Sequence, residues 1–197
     1  MRTVLRAFAP TFFIFSLVTQ LAACGSYDTT KVKDYRMHVV NGTPVQVQTF
    51  QRLISDFNTF AGETVLTYAD LPENANSPII VTSGLKEHSD RGDKVGYGQW
   101  LSASEQENPL SAIGRSPTRT VKFSMRVEFD AKYFEAHKAD TDDDIYARQK
   151  LFFHEIGHGL ELEHDDVHKT NVMYPDIGGD KDFGGFFRYV RSYMADT

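Results

Sequence analysis

The chain has 197 residues, of which 41% are hydrophobic; this is enough for one domain with a hydrophobic core and requires no second domain. The formal net charge is −6, and removal of residues 1–23 takes away Arg2 and Arg6, so that 19 of the 21 basic residues remain against 27 acidic ones. The acidic balance excludes nucleic acid as a partner, because nucleic-acid binding needs clustered Lys and Arg.

The N-terminal residues are typical of an export signal. Arg2 and Arg6 give a positive start, and an apolar run follows at 8–18. The run is interrupted by Pro10 and is too short for a membrane-spanning helix. We therefore interpret residues 1–23 as a signal peptide.

The end of this segment, LAAC at 21–24, resembles the bacterial lipobox. The resemblance implies that Cys24 is acylated, with palmitate as a typical chain, and becomes the first residue of the mature protein. Gly25 in the next position implies sorting to the outer membrane, facing either the periplasm or the cell surface. Residues 24–34 are then the lipidated Cys and a polar tether. The alternative is an ordinary signal peptide followed by a chance Cys.

The elements predicted for the first part of the domain, 35–197, are strands and one helix. Residues 35–40 alternate as a strand, and an apolar stripe at three- and four-residue spacing predicts a helix from Pro44 to Gly62. Short β-branched or aromatic runs predict strands at 64–68 and 79–82. Residues 84–118 are expected to form a long loop with one strand near 97–101.

The second part of the domain is expected to contain a strand and two helices. Residues 120–129 alternate cleanly as a strand. Thr141 and the acids at 142–144 supply the N-cap and first turn of a helix, and a last helix begins near Phe183 after a Gly- and Asp-rich loop at 176–185. The pattern predicts an α+β fold, a sheet covered by helices.

The motif HEIGH at 154–158 carries the chemistry. On a helix, His154 and His158 lie about 40° apart around the axis and about 6 Å apart along it, so both imidazoles reach one ion. Glu155 points to a neighbouring side, where its carboxylate reaches a water on the metal without ligating it. A catalytic zinc needs a third protein ligand and one open position.

His164 is the leading candidate for the third ligand, because no Glu follows Glu163. On an unbroken helix His164 would face away, about 240° around the axis from His158. The helix must therefore end between the two residues, and the chain must turn back under the metal. Asp165, Asp166 and His168 are substitutes of lower rank.

The segment HEIGHGLELEH at 154–164 resembles the zinc signature of the metzincin metallopeptidases, and Asn171–Pro175 resembles their Met-turn in its matrixin form. The resemblance implies a twisted, mostly parallel sheet with an antiparallel edge strand, an active-site helix, the Met-turn and a C-terminal helix. It assigns Met173 to an apolar floor beneath the zinc. Tyr174 and Pro175 would begin the wall of the S1′ pocket.

One residue departs from the family pattern. Glu161 stands where metzincins have the Gly at which the helix ends with positive φ. A non-Gly residue there costs on the order of 1 kcal/mol. This is small beside a zinc-binding free energy on the order of 10 kcal/mol, so we expect the turn to form.

The sequence thus predicts a monomeric, lipid-anchored zinc endopeptidase that cleaves peptides or proteins. One zinc ion would be held by His154, His158 and His164, and Glu155 would be the general base for the attacking water. The membrane would be contacted through the N-terminal lipid only. Two alternatives remain open: an inactive surface lipoprotein that binds a partner or metal, and a zinc hydrolase acting on a non-protein amide.

Overall fold

The computed structural model describes residues 28–83, 85, 95–105 and 118–196. The described part of the chain contains six strands, four α-helices and a short 3₁₀ turn at Pro72–Asn74. The strands are β1 (Asp28–Val32), β2 (Tyr35–Val40), β3 (Leu66–Tyr68), β4 (Ser77–Thr82), β5 (Gly96–Glu105) and β6 (Thr118–Asp130). The helices are α1 (Pro44–Ala61), α2 (Ala131–Ala136), α3 (Asp142–Gly159) and α4 (Phe183–Ala195).

The six strands form one sheet built around β6. Along one edge of β6, β1 pairs with its first half and β4 with its second half, and β2 and β3 continue the sheet beyond β4. These pairings are all parallel. β5 pairs antiparallel with β6 over ten residues and forms the opposite edge. The predicted α+β class and mostly parallel sheet are confirmed.

The core lies between the sheet and helices α1, α3 and α4. The inward-facing residues of β6 alternate along the strand and are at most 8% exposed; they are Phe123, Met125, Val127 and Phe129. They join an aromatic cluster in which Phe57 of α1 contacts Phe153 of α3 and Phe187 of α4 at ring-centroid distances of 5.4 and 4.9 Å. This packing fixes α3 beneath β5 and β6.

Two elements were not predicted from the sequence. Asp28–Val32, assigned to the tether, forms β1, and Ala131–Ala136 forms the short helix α2. β1 also contacts the last residues of the chain: Nζ of Lys31 lies 3.0 Å from a carboxylate oxygen of Asp196. In the structure, the domain therefore includes residues before Tyr35.

The predicted signal peptide and Cys24 lie outside the described residues, as does most of the predicted loop at 84–118. Within the described part of the chain, no helix combines the length and the apolar character needed to cross a membrane.

Candidate metal centre

Helix α3 carries the centre and is fixed at its start by the predicted cap. Oγ1 of Thr141 accepts a hydrogen bond from the backbone N–H of Asp144 at 3.2 Å, and three Asp residues occupy the first turn. The carboxylates there are favourable because a helix N-terminus carries a partial positive charge. At the other end of the helix, His154 and Glu155 are each only 4% exposed.

The helix ends as the position of His164 requires. α3 stops at Gly159, and Glu161 adopts φ 64°, in the left-handed region. The N–H of Leu162 donates to the carbonyl of Gly157 at 2.9 Å, and the N–H of Glu161 donates to the carbonyl of His158 at 3.1 Å. These two bonds are a Schellman motif, which normally has Gly at the left-handed position. Here Glu161 fills that position.

The turn brings the three predicted ligands together. Nε2 of His164 lies 3.1 Å from Nε2 of His158 and 3.3 Å from Nε2 of His154. The ligand atoms of the three residues all lie within 4.8 Å of one another. Among the described residues, His154, His158 and His164 each offer one ligand atom and lie close enough together to hold a metal ion.

Backbone carbonyls fix the orientation of two of the rings. Nδ1 of His154 lies 2.7 Å from the carbonyl of Val172, and Nδ1 of His158 lies 2.8 Å from the carbonyl of Leu162. A carbonyl only accepts, so each Nδ1 carries the proton and donates it. Each Nε2 is then left with a lone pair that points at the centre of the triad, as in metal-binding histidines.

Burial keeps His154 in the neutral form that binds metal. Desolvation is the largest cause, and it lowers the pKa of His154 to about 4, with further lowering by the charges of His158 and His164. The Nε2 lone pairs of His154 and His158 point toward one place, and a cation there is bound by both.

The nitrogen spacing fits a tetrahedral zinc ion. With Zn–N distances of about 2.0–2.1 Å and tetrahedral angles, ligand nitrogens lie roughly 3.3–3.4 Å apart. The distances of 3.1 and 3.3 Å from His164 to its two partners are close to this spacing. Three nitrogen donors also leave a fourth position for water or substrate, as catalytic zinc sites require.

The triad opens into a cavity of about 620 Å³, which Glu155 also lines. The cavity is bounded on one side by residues 95–98 of β5 and the turn before it, and on the other by residues 175–177. Leu151, one turn before His154 on α3, lies at its apolar base. The metal position, one carboxylate and an open cleft therefore share one space.

The loop after His164 is organised by Asp165. Its carboxylate accepts hydrogen bonds from the backbone N–H of Val167 and His168, both at 3.0 Å, and from Nδ2 of Asn171 at 2.7 Å. These donors hold the pKa of Asp165 well below its usual range, and the hydrogen bonds from His168 have the largest effect. Asp165 and His168 were candidate ligands of lower rank. Their side chains hydrogen-bond to each other, and neither belongs to the His triad.

Met173, which the Met-turn resemblance assigns to the floor beneath the zinc, packs against Gly157 of helix α3. It is 2% exposed, and a Cβ built on Gly157 would come within 2.3 Å of its sulfur. Its carbonyl accepts the N–H of Asp165 at 3.0 Å, and its own N–H donates to Oδ1 of Asn171 at 2.9 Å. Met173 therefore joins the helix to the loop that carries His164.

The two predicted wall residues have different surroundings. Pro175 lines the cavity together with Asp176 and Ile177. The ring of Tyr174 instead lies 5.2 Å from Nζ of Lys181 and is absent from the cavity lining. Lys181 is 9% exposed, and its ammonium donates to the carbonyls of Lys169 and Asp176 at 2.9 and 2.5 Å.

Sequence reasoning missed two glycines of the site, Gly96 and Gly98. Both lie on β5, and a Cβ on either would collide with atoms of Glu155. Their alternation within a strand is a signal that could have been used, because Gly in a strand often marks the close approach of another backbone. Asp176, Ile177 and Lys181 gave no comparable signal.

A search of this chain against models of protein families and against curated proteins finds no match. The metal-binding assignment therefore depends on the geometry of the His triad.

Proposed function

We propose that the protein is a zinc-dependent endopeptidase of the metzincin type. The observation that carries the proposal is the convergence of three Nε2 atoms, at 3.1 and 3.3 Å, in a cavity that Glu155 also lines. The metzincin-like signature and the Met173 floor add support. A binding protein would need the metal ligands but not a carboxylate beside the open position.

In this proposal the three histidines bind the metal and Glu155 transfers the proton. His154, His158 and His164 would hold zinc, which when bound acidifies a water molecule and polarises the substrate carbonyl. Glu155 accepts a proton from the attacking water as it adds to the carbonyl carbon. Glu155 then delivers that proton to the leaving amine as the C–N bond breaks.

The edge strand β5 would hold the substrate. Among the described residues, β5 pairs along one edge with β6, and residues 95–98 line the cleft. An extended peptide can add to an edge strand through backbone hydrogen bonds. The opposite wall at 175–177 would contact the side chain that follows the scissile bond.

The test compares the mature domain with its Glu155→Gln variant on an unfolded protein substrate. Both forms are expected to bind about one zinc per chain, and the variant should lose roughly 10²- to 10⁴-fold in kcat because it lacks a general base. Zinc is measured by elemental analysis after dialysis. The control is Glu163→Gln, which changes an exposed carboxylate outside the cleft lining.

The outcomes separate the alternatives. Equal cleavage by both forms would exclude Glu155 as the base. Zinc bound without cleavage of any peptide would favour a metal-binding lipoprotein. Cleavage of small amides but not of polypeptides would favour a hydrolase of non-protein substrates.

A further inference from the structure

Strand β5 carries two glycines on the face that meets helix α3. A Cβ built on Gly96 would lie 2.3 Å from Oε1 and 2.6 Å from Cδ of Glu155. A Cβ built on Gly98 would lie 2.0 Å from the carbonyl oxygen of Glu155 and 2.9 Å from Cβ of His158. Both positions therefore abut the residue proposed as the base.

Space, and not backbone conformation, explains these glycines. Among the described residues, the glycines with positive φ are Gly62 and Gly179, so β5 does not need Gly for its dihedral angles. β5 also keeps a regular register through this stretch, with Gly96 opposite Phe129 and Gly98 opposite Val127. Gly normally weakens a strand, so a packing reason is required.

The two glycines have different neighbours. At Gly98 the obstacle is the backbone of α3, which cannot rotate aside. At Gly96 the obstacle is the Glu155 side chain from Cγ outward, which can rotate, but only by moving its carboxylate. Glu155 is 4% exposed, so most of its side chain is enclosed by protein atoms.

We infer that Gly96 and Gly98, here termed the glycine notch, set the position of the Glu155 carboxylate beside the His triad. Gly98 sets the distance between β5 and α3, and Gly96 leaves the space that the carboxylate fills. Both are positioning residues, since neither supplies a reacting group. The inference rests on the proposed function, because it assigns a purpose to the placement of the proposed base.

The decisive variant is Gly96→Ala. Its methyl group would displace the carboxylate, and the three atoms nearest to it all belong to Glu155 and not to a ligand ring, so zinc content should stay at the level of the unmodified protein. We expect kcat to fall at least 10-fold with KM changed less than about 3-fold, because a base that is displaced on the order of 1 Å loses much of its effect. Ser102→Ala, at an exposed position of the same strand, is the matched control and should leave both constants unchanged.

A double-mutant cycle shows whether Gly96 acts through Glu155. Glu155→Ala removes all three atoms that the added methyl group would meet, which are Oε1, Cδ and Cγ of Glu155. Gly96→Ala should therefore cost less than about 2-fold when added to Glu155→Ala. A cost of 10-fold or more in both backgrounds would overturn the inference, as would full kcat in Gly96→Ala alone.

A binding measurement gives a readout that needs no turnover. Acetohydroxamate binds to zinc and can donate a hydrogen bond to a carboxylate next to it, so its affinity reports the position of Glu155. Gly96→Ala should weaken acetohydroxamate binding to the Co(II)-substituted protein about 10-fold, followed by visible absorption. In the Glu155→Ala background, which lacks the carboxylate and the atoms that the methyl group would meet, the same change should have less than about 2-fold effect; an equal effect in both would count against the notch.

Misfolding and a failure of the proposed function give separate results. If Gly96→Ala does not fold, the notch predicts that Glu155→Ala restores folding by removing the obstructing carboxylate, and continued misfolding would contradict it. If the unmodified protein holds metal but cleaves nothing, the proposed function fails. The acetohydroxamate cycle still decides whether Gly96 positions Glu155.

Discussion

At the scale of single residues, the centre depends on which ring nitrogen carries a proton. The carbonyls of Val172 and Leu162 hold the Nδ1 protons of His154 and His158, and both acceptors belong to segments that follow the ligand helix. The chain that returns after the helix break therefore supplies more than His164. It also supplies the acceptors that point the first two ligands at the metal.

The lowered pKa of His154 predicts a dependence of stability on pH in the metal-free protein. Its pKa is about 4 in the folded state against 6.5 for an unperturbed His, so the unfolded state binds more protons between these values. The free energy of unfolding should be highest above pH 6.5, fall by roughly 3 kcal/mol as the pH drops to 4, and lose this dependence below pH 4. Urea denaturation in the presence of a chelator measures it.

The matched variant for this measurement is His154→Gln, which does not titrate. Its stability should vary less between pH 6.5 and 4 than that of the unmodified protein. An identical pH dependence in both would show that another group controls acid stability.

At the scale of elements, the end of α3 is the feature on which the site depends. Glu161 holds the left-handed position at φ 64°, which costs a non-Gly residue on the order of 1 kcal/mol. Burial, and to a smaller extent the charge of Glu161, raise the pKa of Tyr193 on α4 to about 12, so the Tyr193 hydroxyl lies near the Glu161 carboxylate. The C-terminal helix thus contacts the turn that positions His164.

Substitutions at Glu161 should measure the cost of its backbone conformation. Glu161→Gly removes the strain, so we expect the unfolding free energy to change by about 1 kcal/mol or less, with no loss of zinc. Glu161→Val places a β-branched residue at positive φ, so it should cost about 2 kcal/mol or more. Urea denaturation and zinc content measure both, and loss of zinc in Glu161→Gly would contradict this account.

The loop before α4 is held by the ammonium group of Lys181. Lys181→Met removes the bonds to the carbonyls of Lys169 and Asp176, and Asp176 belongs to the wall of the cleft. We expect a loss of about 1–3 kcal/mol in stability, because two partly buried carbonyls lose a charged donor, and a raised KM with zinc retained. Lys169→Met is the control, since only its backbone takes part; equal effects of the two would argue against the ammonium.

Elements that are determined by short-range sequence patterns were predicted, and elements that depend on long-range contacts were not. The N-cap Thr141, the α3 face and the turn after Gly159 were predicted because capping, periodicity and ligand geometry each constrain a few neighbouring residues. β1 was missed because DTTKV has no apolar alternation, and its pairing with β6 is a long-range contact. α2 has only six residues, too few for a periodic pattern.

The site was predictable to the extent that it is encoded within one helix and its exit. The three ligands and Glu155 lie within eleven consecutive residues, 154–164. Helix geometry placed His154, Glu155 and His158, whereas His164 required the helix to end after His158. The opposite side of the cleft could not be derived in this way. Gly96 and Gly98 reach Glu155 only because β5 pairs with β6 over α3, and that arrangement depends on the whole sheet.

At the scale of the whole molecule, the sheet separates the first residues of the domain from the cleft. β1 begins opposite Thr118 at one end of β6, whereas Gly96 lies opposite Phe129 near the other end. Eleven residues of strand span about 35 Å. An anchor that precedes β1 therefore attaches to the end of the sheet that is far from the His triad.

This separation predicts that membrane attachment and catalysis are independent. If Cys24 carries the lipid, the chain from Cys24 to Asp28 spans at most about 14 Å, which holds the β1 end near the membrane and leaves the cleft facing away from it. Cys24→Ala should move the protein from the membrane fraction to the soluble fraction. Because an anchor at the β1 end of the sheet would lie far from the cleft, kcat/KM on a soluble peptide should change less than about 2-fold.

Fractionation of cell membranes, followed by peptide assays on the purified forms, measures both effects. Ser26→Ala, two residues from Cys24, is the control and should remain with the membranes. A Cys24→Ala variant that stays membrane-bound would exclude lipidation at this residue. A variant that is released but loses most of its activity would show that the anchor region reaches the cleft, which the 35 Å separation along β6 opposes.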